Sequence, residues 1–129
     1  MPPEESLYPL DWLRIADKDW RRAERALGDT DAEEAGFWLQ QALEKYLKAY
    51  LLSKGWELKR VHDLEILVNE AAQLDKRFAG FQEVCGKISG YYLAERYPML
   101  SEFSLTLDEV RESRDQVKPM VDFISRTLR

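Results

Sequence analysis

Apolar residues recur along most of this chain at steps of three and four, the spacing of one helix face. Leu10, Leu13, Ala16, Trp20, Ala23 and Leu27 form the first such stripe, predicting a helix from near Pro9 or Asp11 to Leu27 with Gly28 as its stop. In "GDTDAEE", Asp31 caps a second helix and Glu34, three residues on, resembles the partner of a capping box. That helix is expected from Ala32 to Lys54, ended by Gly55. A third begins near His62 or Asp63 and faces inward with Leu64, Leu67, Val68, Ala71 and Leu74. A fourth covers Phe78 to Glu95, with Phe81, Val84, Cys85, Ile88, Tyr91 and Tyr92 at helical spacing. Thr106 and Glu109 form a capping box for the last helix, which turns Val110, Val117, Val121, Ile124 and Leu128 inward and is expected to kink or break at Pro119. Strand-like alternation appears nowhere. The pattern predicts one all-α domain over residues 1–129, an antiparallel up-and-down bundle of four or five helices, with residues 1–8 as a flexible lead.

The second helix is unusual. On a wheel of about 100° per residue, Ala35, Leu39, Ala42, Leu43, Tyr46, Ala49 and Tyr50 point one way. Phe37, Gln41, Glu44, Lys45 and Lys48 gather on the other side, with Leu52 beside them. Glu44 and Lys48 taken alone read as an exposed i,i+4 pair worth a few tenths of a kcal/mol. The neighbouring Phe37 and Leu52 argue instead for a mixed surface, suited to a homodimer interface, a protein partner, or a polar pocket in which Lys meets phosphate and Gln reads hydrogen bonds.

Composition narrows the choices. The chain has 129 residues and a net charge of −5. Phosphate neutralisation supplies most non-specific affinity for nucleic acid, so tight, indiscriminate binding to duplexes is not expected, although a local basic patch is compatible with the total. Lys18, Arg21, Arg22 and Arg25 give the first helix a basic outer side. One Cys and one His exclude an internal disulfide and a zinc site of the usual kind, and no cofactor or metal is expected. No secretory leader and no membrane span is expected, which places the chain in the cytoplasm.

Two further stretches carry candidate chemistry. His62, in "KRVHDL", reads either as a residue at a helix N-terminus or as a general base or phosphate ligand. "YYLAERYP" sets Tyr91, Tyr92, Arg96 and Tyr97 close together. Aromatic and guanidinium groups side by side can stack on a base and hold a phosphate, or can serve as core and helix-end groups.

In one order, "FWLQQALEKYLKAYLLSKG", "HDLEILV" and "YYLAERYP" resemble the HEPN domain family, named for nucleotide binding in higher eukaryotes and prokaryotes. The resemblance runs from about Leu10 to the C-terminus. It implies an all-α bundle, a tendency to homodimerise, and in many members a minimal nucleotidyltransferase encoded alongside, as a toxin–antitoxin-like pair. It also implies nucleotide or RNA binding and, in many branches, metal-independent RNA cleavage. The residues expected at such a nucleotide site are Gln41, Lys45, Lys48, His62, Tyr92, Arg96 and Tyr97. Catalytic HEPN ribonucleases carry an Arg followed four to six residues later by a His. Here the only His is His62, Arg60 precedes it with one residue between, and no His follows Arg96. The resemblance therefore points to a non-catalytic binding module. The alternatives are a ribonuclease toxin using His62 and Arg96 in a non-standard site, and a dimeric scaffold without ligand.

Overall fold

The computed structural model describes residues 6–57, 59, 61–91 and 105–129. Five α-helices stand among the described residues: α1 (Pro9–Gly28), α2 (Ala32–Ser53), α3 (Leu64–Leu74), α4 (Gln82–Ser89) and α5 (Leu107–Leu128). A 3-10 helix, Lys76–Phe81, leads into α4. The architecture is the expected all-α bundle.

The caps read from the sequence start the helices where expected. Asp31 accepts from the Glu34 amide at 3.2 Å, satisfying one of the amides a helix start leaves unpaired. Thr106 and Glu109 bond reciprocally ahead of α5. Asp63 caps α3 through the Glu65 amide at 2.8 Å, so His62 lies before the helix rather than in it.

The first stop differs from expectation. Gly28 lies inside α1, and the left-handed residue that ends the helix is Thr30, at φ 58. The Asp31 and Thr30 amides close back onto the Ala26 and Leu27 carbonyls, the hydrogen-bond pattern of a Schellman stop. After α2 the same pattern falls on Gly55, at φ 86, as expected.

α1 and α2 form an antiparallel hairpin, as the pairings Trp12–Lys48, Asp17–Tyr46 and Arg22–Trp38 require. Between Glu44 and the end of α2 lies roughly 13 Å of helix. Yet His62 sits beside Glu44. The chain after Ser53 therefore doubles back along α2 before α3 starts. α4 returns beside α3, with Gln82 donating to Asn69 at 2.7 Å. α5 lies along α2, from Leu105 against Gly36 to Phe123 against Tyr50.

Other expectations are corrected by packing. Leu10 and Leu74, placed on inner faces, are 59% and 55% exposed, because each stands near a helix end beyond the reach of its neighbours. Trp12 fills the core at the start of α1 instead, and its indole donates to the Ser6 carbonyl at 2.8 Å. Ser6 is itself buried. The helix expected from Phe78 begins as the 3-10 turn capped by Asp75, and only from Gln82 becomes α-helical. Its expected stretch beyond Tyr91 lies outside the described residues. α5 is not broken at Pro119.

Candidate functional site

Three polar side chains in the middle of α2, Gln40, Glu44 and Lys48, do not face solvent. Lys48 is 2% exposed, and its ammonium lies 3.4 Å from Glu44 Oε2 and 5.2 Å from the Trp12 ring centroid. Glu44 is also buried. The exposed i,i+4 pair is thus a buried one, roofed by α1 on one side and by the returning chain on the other. A buried ion pair needs further hydrogen bonds to offset its desolvation. These come from His62, whose Nδ1 lies 3.2 Å from the same Glu44 oxygen.

The network continues along α2. Gln40, buried, donates to the His62 carbonyl at 3.5 Å and accepts from the Gln41 amide at 2.7 Å. No buried side-chain nitrogen or oxygen lacks a partner among the described residues. An ionised carboxylate only accepts, so the Glu44 contact puts the proton on His62 Nδ1. Nε2 is left without a partner among the described residues, on a side chain 68% exposed. The arrangement orients the imidazole and offers its second nitrogen outward, as an acceptor when neutral and as a donor when protonated.

Lys45 has a different partner. It and Arg22, the latter at 2.7 Å, close on Asp19 of α1, which is almost fully buried. Of the residues predicted for the site, Gln41, Lys48 and His62 therefore come together through Gln40 and Glu44. Lys45 lies one turn away, paired with Asp19. Tyr92, Arg96 and Tyr97 lie outside the described residues. Sequence reasoning did not select Glu44, Gln40, Trp12 or Asp19 as site residues. The Glu44–Lys48 spacing was a signal for the first, but nothing local marks Trp12 or Asp19 as the roof.

Other titratable groups near the core are chemically quiet. Burial pushes the Cys85 thiol up to about 12, so it stays neutral and unreactive near neutral pH. Burial, and then the hydrogen bond from its hydroxyl to Asp17 at 2.6 Å, hold Tyr46 well above the ordinary phenol range.

The HEPN domain profile matches residues 10–127, nearly the whole chain. This chain belongs to the HEPN domain family. The crystal structure of TT1696 from Thermus thermophilus shares the fold of this HEPN protein with a TM-score of 0.76 at 26% sequence identity. The match covers 92% of this chain and 96% of that one. No curated protein matches. Among the described residues, no helix of this HEPN protein is long and apolar enough to cross a membrane.

Proposed function

We propose that this HEPN protein is a non-catalytic module that binds a nucleotide or a nucleic-acid end, acting with a minimal nucleotidyltransferase in a two-component, toxin–antitoxin-like pair. The observation that carries this reading is the oriented imidazole of His62, held by Glu44 at 3.2 Å and exposed at the mouth of the α2 network. Protonated at Nε2, it donates to a phosphate oxygen; neutral, it accepts from a base or ribose hydroxyl. Gln41, half-buried and tied to the His62 backbone through Gln40, adds an amide. Lys48 and Lys45 act from behind as positioning groups, because each already holds a carboxylate partner. In the sequence-based reading, Tyr92, Arg96 and Tyr97 complete the site.

RNA cleavage is disfavoured by the missing Arg–His spacing. A base without a cation aimed at the phosphate lacks the charge stabilisation that carries most of such a reaction. In a calorimetric titration with ATP, the chain binds saturably and His62→Ala weakens binding about tenfold, the loss expected for one charge-assisted hydrogen bond. The variant takes one hydrogen bond from the buried Glu44, a cost of about 1–3 kcal/mol that leaves the chain folded, so circular dichroism at room temperature stays unchanged. Absence of ATP binding both alone and with the partner would remove the nucleotide part of this reading.

The module acts as a homodimer. The apolar side chains left exposed at the start of α1 (Leu7, Tyr8 and Leu10) and on α3 (Ile66 and Leu74) support this, since self-association would cover such surface. Light scattering at micromolar concentration is expected to give about twice the 15.2 kDa chain mass. A monomer there would remove the dimer from the proposal.

A further inference from the structure

The outer face of α1 carries a second feature, separate from the α2 network. Arg14, Lys18, Arg21 and Arg25 follow one another at steps of four, three and four residues and are all exposed. At about 100° per residue they fall within an arc of roughly 60° and span roughly 16 Å of helix. Of the four acidic side chains of α1, only Asp11 pairs with a member of the stripe, and the other three are engaged elsewhere. Asp11 accepts from Ser6 at 2.7 Å and pairs with Arg14 at 3.6 Å. Asp17 holds Tyr46 and Arg129, and Asp19 holds Arg22 and Lys45. Glu24 holds Trp20 at 2.9 Å and Arg114 at 3.0 Å. Lys18, Arg21 and Arg25 have no ion-pair partner among the described residues, so the face is locally cationic on a chain of net charge −5.

At the far end of the stripe, the Arg22 guanidinium lies 4.7 Å from the centroid of the half-buried Trp38 ring. Arg25 and Trp38 line the same cleft, together with Asp29, Asp31 and Glu34.

We propose that this α1 stripe is a track for a single-stranded polynucleotide, with the Arg22–Trp38 pair as a stacking platform at its end. The charge pattern favours a polyanion over a protein. Between Arg14 and Arg25 the stripe carries no exposed large apolar side chain, and a protein interface needs an apolar centre. Side chains three and four apart on a helix stand about 5–6 Å apart, a step comparable with that of successive phosphates along one strand. A duplex would demand more cations than four and would meet the overall negative charge. Planar aromatic and guanidinium groups are the usual platforms for unpaired bases. This inference uses neither His62 nor Lys48, so it stands or falls separately from the nucleotide site.

Fluorescence anisotropy with a labelled oligouridylate of about twelve nucleotides tests it on the full chain. Wild type binds at low salt, and log affinity falls against log salt with a slope of roughly −2 to −3, as three or four neutralised phosphates give. K18E/R21E/R25E lowers affinity at least tenfold with unchanged circular dichroism and unchanged ATP calorimetry. K18R/R21K/R25K keeps wild-type binding. K76E/K87E/R111E, with the same net-charge change on other exposed sites, keeps it within about threefold. Equal loss in the two reversal variants would reduce the effect to net charge and overturn the track. So would no binding by wild type, or equal affinity for an oligoglutamate of the same charge, which would make the stripe a site for an acidic protein.

Discussion

Lys48→Ala is expected to lower the stability of the fold by about 3–5 kcal/mol, the cost of removing one partner of a buried ion pair. Glu44 would remain buried without its cation. Chemical denaturation followed by circular dichroism measures the loss directly. A second variant separates charge from packing. Glu44→Leu with Lys48→Met removes both charges and keeps apolar volume, so most of the stability should return, as it does when buried pairs are replaced by well-packed apolar residues. The same variant deprives His62 of the acceptor that orients it, so ATP affinity should stay low although the fold recovers. A loss below about 1 kcal/mol for Lys48→Ala would mean that the pair behaves as a solvated one.

Phe78→Ala should cost a comparable amount, about 3–5 kcal/mol, typical of truncating a buried aromatic. Phe78 is almost wholly buried and meets Tyr50 of α2 at 4.6 Å and Phe123 of α5 at 5.8 Å between ring centroids. It is the side chain by which the 3-10 helix docks on two long helices. Phe81, three residues on, is only half-buried, and its truncation should cost clearly less. Thermal unfolding of the two variants side by side gives the comparison. Equal losses would show that docking of the 3-10 segment does not rest on Phe78.

These two sites mark where local reading reached and where it stopped. Asp31 and Thr106 start helices through bonds to amides three residues away, so their roles were legible in a few letters of sequence. Gly55 was legible for the same reason. Thr30 was not, because a β-branched residue at positive φ is held there by the turn as a whole, against its own preference. Phe78 was placed correctly as apolar and wrongly as the first residue of an α-helix. Asp75 and the contacts to Tyr50 and Phe123 select a tighter turn there, and two of those partners are distant in sequence.

The sequence by itself determined the long helices, the all-α class and the two faces of α2, since periodicity and capping are properties of neighbouring residues. It also placed Gln41, Glu44, Lys45 and Lys48 together, away from the apolar stripe. Periodicity records rotation about a helix axis and nothing of what lies across from it. Only the tertiary structure decided that Trp12 and Asp19 of α1 roof that second face, and that the chain after Ser53 returns far enough for His62 to reach Glu44. Burial turned a surface ion pair into an interior one, because desolvation makes each of those charges depend on its partner. That dependence is also what leaves a single imidazole nitrogen of His62 facing outward.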